Sequence, residues 1–132
     1  MKTFYLLISI VLITLTSCSK KENQATSNVL VGSWKLTDIL LDPGNGSGTF
    51  VPVSSNKTLI FNTNGNLTSN GNICDLSIES NTSSTGTYSE SNSTINSASC
   101  QNTSIIYEVI GTTLILNYPC IEPCKAKYIK VQ

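Results

Sequence analysis

Cysteine is the one residue type in this 132-residue sequence whose number and spacing suggest a chemistry, with five copies present. Cys18 stands apart near the N-terminus, while Cys74, Cys100, Cys120 and Cys124 lie in the second half of the chain. Four thiols can hold a soft metal, exchange disulfides, or close two structural bridges. Structural zinc sites use paired Cys-x2-4-Cys knuckles, and only Cys120 and Cys124 come near that spacing. A thioredoxin-type site needs Cys-x-x-Cys opening a helix, and no helical period runs through this region. In an exported domain an even set of cysteines reads as disulfides. Four of them permit three pairings. The preferred one clamps Cys120 to Cys124 across the last hairpin and leaves Cys74 with Cys100. Loop-closure entropy then assigns roughly 2 kcal/mol to the short bridge and roughly 3.5 to the long one.

Other reactive constellations are missing. The sequence has no histidine and no arginine. That removes Ser-His and Cys-His nucleophile pairs, imidazole metal sites and the commonest general base. Asp38, Asp42, Asp75 and Glu79 are the nearest thing to an acidic cluster, but no Asp-x-Asp-x-Asp-Gly loop is present for calcium. Nothing brings two carboxylates together across a cleft, as glycosidase chemistry requires. The expectation is a protein that is not an enzyme and uses no cofactor and no metal. Eight lysines against eight acids leave no net charge, so nucleic acid is not an expected partner either.

The N-terminus reads as an address. Lys2 precedes the apolar run Phe4 to Leu15, too short for a bilayer core that takes about 20 residues but right for the centre of a secretory signal. Next comes Leu15-Thr16-Ser17-Cys18, which resembles the bacterial lipobox. The resemblance implies that 1–17 is a signal peptide removed before Cys18. It also implies that Cys18 carries diacylglycerol on sulfur and a further palmitate-type chain on its amine. Three chains anchor a protein where one does so only marginally. Residues 18–29, polar and aperiodic, form the expected tether. No acidic run follows Cys18, which places the expected anchor in the outer membrane, with the protein facing the periplasm.

The remaining 30–132 read as one all-β domain. Strands are expected near 31–41, 57–62, 66–70, 86–91, 93–97, 103–110, 112–118 and 124–131, separated by Gly, Asn, Ser and Pro clusters. Asn64-Gly65 suits a two-residue hairpin, and Ile110-Gly111-Thr112 and Ile121-Glu122-Pro123 mark further turns. Eight strands in meander order lose their edges by closing into an antiparallel up-and-down barrel. Alternation points Trp34, Leu36, Leu59, Phe61, Tyr107, Val109, Leu114, Leu116 and Tyr118 inward, with Tyr88 joining them. The last strand offers two opposite sets, Ala126 with Tyr128 or Ile129 with Val131. A long loop is expected near 72–85, and the glycine-rich run Pro43 to Gly48 suggests a mobile rim.

Leu30-Val31-Gly32-Ser33-Trp34-Lys35-Leu36 resembles the opening Gly-x-Trp strand of lipocalin-like domains. Leu59 to Gly65, Gly86-Thr87-Tyr88 and Tyr107 to Leu114 resemble runs in small lipocalin-like lipoproteins of Gram-negative bacteria. The resemblance implies the barrel fold. An eight-stranded barrel either fills with its own side chains or holds one small ligand. The expected occupant is a small apolar or amphipathic ligand, with Trp34, Phe61, Tyr88, Tyr107 and Tyr118 as candidate contacts, against Trp34 as a core plug and the tyrosines as packing. The chain departs from full lipocalins in its short length and in lacking the arginine that caps their tryptophan. The alternative is a filled barrel that acts on another envelope protein, as an inhibitor or accessory subunit, through the loops at 42–56 and 70–85.

Overall fold

The computed structural model describes residues 28–131; the expected signal peptide, the lipidation site Cys18 and nearly all of the expected tether lie outside the described residues. The strands are β1 (Gly32–Leu41), β2 (Val51–Pro52), β3 (Thr58–Phe61), β4 (Asn66–Ser69), β5 (Ser84–Ser89), β6 (Thr94–Asn96), β7 (Ile105–Ile110), β8 (Thr113–Tyr118) and β9 (Cys124–Val131). β1 and β3 to β9 pair in chain order, and a β1–β9 ladder shuts the ring, giving a closed antiparallel barrel of eight strands. β2 was not foreseen. It pairs only with Asp38 and Ile39, on the edge of β1 beyond β3.

The longest ladder is the closing seam, from Ser33 opposite Val131 to Leu41 opposite Cys124, and it carries one irregularity between Leu36 and Asp38. Thr37 occupies that β-bulge. Its hydroxyl donates to the Lys127 carbonyl at 3.3 Å and to Asp38 Oδ2 at 2.7 Å. Its own carbonyl accepts from Val53 N at 2.8 Å. An extra residue in one strand shifts the alternation by one. Trp34 and Leu36 therefore face inward, whereas past the bulge Ile39 packs on the core and Asp38 pairs with Lys127 at 3.5 Å.

The inward positions interlock. Trp34, Leu36, Leu59, Phe61, Leu67, Ile95, Ile105, Leu114, Leu116 and Tyr128 are all essentially inaccessible to water. Close interdigitation of this kind is what gives a small barrel its stability. In β9 the ambiguity resolves in favour of Cys124, Ala126 and Tyr128, while Lys125, Lys127 and Ile129 are only half-buried.

The two ends of the barrel differ. One carries the short connections 62–65, 90–93 and 111–112, and there the chain enters at Asn28 and β9 finishes. The other carries 42–57, 70–83, 97–104 and 119–123, which makes it the loop-bearing rim. The Asn-Gly turn is not the two-residue kind. Asn62 pairs with Asn66, Gly65 N donates to the Asn62 carbonyl, and of the turn only Gly65 has positive φ. That is a three-residue loop closed by a glycine bulge.

Candidate functional site

The loop-bearing rim concentrates the unusual chemistry. After β4 the chain turns back over the barrel mouth, and Ile73 drops into the core with no exposed surface. Cys74 and Cys100 are bonded, with Cα atoms 5.1 Å apart, so the 70–83 connection is strapped to the 3-10 turn Ala98–Cys100. Cys120 is bonded to Cys124 across the final turn, and both expected bridges are therefore formed. Ser84 Oγ donates to the Gly71 carbonyl at 2.6 Å and accepts from Ile73 N at 3.0 Å. Gly71 permits this closure, because a β-carbon there would come within 2.9 Å of Lys57 Cγ and still closer to the Glu79 carbonyl.

Lys57 is buried beneath this cover. Its ammonium donates to the carbonyls of Ser77 at 2.8 Å and Asp75 at 3.2 Å, so a charged group holds the plug from below. Burial lowers the Lys57 pKa from its ordinary range, and nearby Asp75 partly opposes the shift. Lys57 was overlooked in the sequence although its parity with Leu59 and Phe61 points it inward. Tyr118 and Tyr128 also direct hydroxyls into the interior, where among the described residues neither finds a partner of good geometry. Burial raises both pKa values; the Tyr128 phenol raises that of Tyr118 further, while the Tyr118 hydroxyl partly offsets the rise at Tyr128.

This predicts alkaline behaviour. The folded-state pKa values of Tyr118 and Tyr128 exceed the unfolded value near 10, so stability is fully present below about pH 10 and falls as pH rises through the folded values. Lys57 acts in the opposite direction, with stability rising as pH climbs toward 10.5, before the tyrosine effect takes over. Phenolate absorbance should show these two groups protonated past the pH of free tyrosine, then ionising together as the β-sheet signal is lost. Ionisation of every tyrosine with the sheet intact is the contrary result.

The aromatic residues expected to touch a ligand are engaged with the protein itself. Trp34 is fully buried at the short-turn end, and its Nε1 donates to the Leu30 carbonyl at 2.8 Å. Lys130 stands with Nζ 5.2 Å from the Trp34 ring centre, a cation where the sequence has no arginine to offer. The same Nζ donates to the Val29 carbonyl at 2.5 Å, so residues 28–31 lie across this end as a lid. Phe61 meets Tyr88 edge-on at 5.1 Å and Tyr107 at 6.4 Å. Tyr88 donates to the Asn62 carbonyl and Tyr107 to the Ser89 carbonyl, at 2.6 and 3.1 Å. Tyr118 is separate from these, beside the plugged mouth.

The run expected to be a mobile rim is organised by one carboxylate. Asp42 Oδ1 accepts from the backbone N–H groups of Gly44, Asn45 and Gly46 at 2.8–3.0 Å, and Oδ2 accepts from Gly48 N at 2.7 Å. These bonds lower the Asp42 pKa, the Gly48 bond most strongly. Positive φ at Gly44 and Gly46 lets successive amides converge on the acid. Loop order should persist above the ordinary carboxylate range and fail as pH drops through the lowered value. Asp42→Asn should raise amide exchange across 44–48 without moving the barrel core; unchanged exchange would refute the assignment.

Clefts open on the outside of the described residues. One of about 750 Å³ runs along β4, β5 and β6. A second of about 410 Å³ lies over the mouth plug beside Asp75 and Glu79, and a third of about 520 Å³ flanks the 28–30 lid. Among the described residues, no group of three acids or cysteines is placed to hold a metal ion. Comparison with known proteins found no matching family model, no matching curated protein and no matching solved structure.

Proposed function

We propose that this chain is a non-enzymatic, lipocalin-like lipoprotein that recognises another envelope protein with its loop-bearing rim, anchored to the outer membrane through Cys18. The observation that carries the reading is the seated plug: Ile73 in the core, Lys57 holding the loop above it, and the Cys74–Cys100 strap. A small apolar ligand inside the barrel would have to displace that plug or the interlocked aromatic residues. The rim, by contrast, offers apolar side chains to solvent: Leu41, Val51, Ile78 and the fully exposed Ile121. Ile121 sits on the turn closed by Cys120–Cys124, and Asp42 N donates to the Pro123 carbonyl at 3.0 Å. A rigid apolar anchor with a polar surround is the usual centre of a protein interface.

The test uses the acylated full chain in membranes, with a photo-crosslinker at Leu41 or Ile121. One dominant envelope protein should be captured, and Ile121→Asp should abolish capture from the Leu41 position while leaving the thermal midpoint unchanged. Organic extraction should return no bound lipid. A co-purified lipid, together with a Trp34 fluorescence response to fatty acids, would restore the small-ligand reading and overturn this one.

A further inference from the structure

We propose that the outer wall of β4, β5 and β6 is a binding site for a neutral, hydroxyl-rich chain, an uncharged oligosaccharide. The cleft of about 750 Å³ there falls within the roughly 300–1,000 Å³ of small-molecule sites. Strand register builds its floor. Asn66, Thr87 and Asn96 lie side by side across three strands, and Thr68 and Thr85 form the adjoining row. The intervening Leu67 and Ile95 point into the core, which fixes the Thr and Asn side chains on the outside.

The far wall is built in advance. Ser97 Oγ donates to the Thr85 carbonyl at 2.7 Å, and Asn96 Oδ1 accepts from Ser104 Oγ at 2.5 Å. Cys100 N and Thr103 N close successive turns behind it, and the Cys74–Cys100 bond secures them. At Gly86 the chain of Asn96 passes so close that a β-carbon would approach its carbonyl oxygen to 2.5 Å. Such a trough does not depend on a ligand for its shape.

Its chemistry selects the ligand. None of the lining residues is ionisable, so a charged ligand would give up water without gaining a counter-charge. The side chains of Asn66, Thr68, Thr85, Thr87 and Asn102 have no hydrogen-bond partner among the described residues, unlike Ser97, Asn96 and Thr103 beside them. Hydroxyls and amides each donate and accept. Threonine adds a methyl group on a stem stiff at χ1, so apolar and polar contacts alternate at fixed spacing. A sugar chain carries that same alternation of C–H faces and hydroxyls.

The test is a two-dimensional NMR titration of the oxidised full chain with maltotetraose, cellotetraose and tetra-N-acetylchitotetraose, each up to about 10 mM, beside tetragalacturonate as the charged comparison. Shifts should cluster at 66–68, 85–87 and 96–103 for at least one of the three neutral chains. Thr85→Val with Thr87→Val keeps shape and strand propensity but removes two hydroxyls, and should weaken binding about tenfold, the equivalent of roughly 1.4 kcal/mol, at unchanged thermal midpoint. No shifts with any of the three, shifts elsewhere, or equal binding by the variant would overturn the proposal. So would preferential occupancy by a charged oligosaccharide. A failed partner capture at the rim leaves this result unaffected, because the two sites share no tested residue.

Discussion

Replacing Cys74 and Cys100 together by alanine is expected to lower stability by about 3.5 kcal/mol, the loop entropy returned to the unfolded chain across a separation of 26 residues. Domains of this size have roughly 5–15 kcal/mol in total, so the loss is a large share. At roughly 4–8 °C per kcal/mol, the thermal midpoint should fall by about 14–28 °C. The damage has a second, local part. Ile73 is held in the mouth by the segment that Cys74 straps down, and among the described residues the Lys57 ammonium bonds to carbonyls of that segment. Amide exchange at 72–78 should therefore rise beyond the global effect. Opening Cys120–Cys124, with a separation of 4, is expected to cost roughly 2 kcal/mol and to loosen only the turn bearing Ile121. Equal losses from the two bridges, with 72–78 still protected, would contradict the role given to the strap.

Trp34→Ala is expected to cost about 3–5 kcal/mol, the range for a large aromatic side chain removed from a packed interior. Three connections meet in that ring. It fills the short-turn end of the barrel, it satisfies the Leu30 carbonyl, and it faces the Lys130 ammonium. Trp34→Phe separates them, because it keeps most of the packing but leaves Leu30 without its donor, at about 1–3 kcal/mol. Urea unfolding should order the three proteins as wild type, Phe and Ala. The lid at 28–31 should lose exchange protection in both variants, since the Nε1 bond is absent from each. An alanine variant within about 1 kcal/mol of wild type would mean that the ring does not close this end.

Much of this architecture was legible because strand alternation is a local signal. Leu59 and Phe61, or Leu114, Leu116 and Tyr118, could face inward only in the register observed, and the turns at 62–65 and 111–112 lay where Gly65 and Gly111 take positive φ. The features that escaped depend on contacts distant in sequence. The Thr37 bulge is held by a hydroxyl that donates to the Lys127 carbonyl and a carbonyl that accepts from Val53 N, and neither partner is visible from residues 34–40. β2 exists only as a rung on Asp38 and Ile39, with no alternation of its own to reveal it. Lys57 had the right parity, but a lysine reads as solvent-facing until carbonyls are known to surround its nitrogen. The Pro43 to Gly48 run looked mobile by composition. Its order resides in Asp42, one residue before the run begins.

The β1–β9 seam joins residues from opposite ends of the barrel domain, Ser33 with Val131 and Lys35 with Ile129. Local hairpins can zip early, but this ladder waits until the last strand has been made and delivered, and such distant pairing is the slow kind. Until then β1 and β8 each present a raw edge able to capture a neighbouring chain. A product truncated before Cys124 is therefore not a smaller version of the protein but a pair of open templates. Its expected fate is aggregation or proteolysis, and the final eight residues of sheet act as the zipper pull on which successful maturation depends.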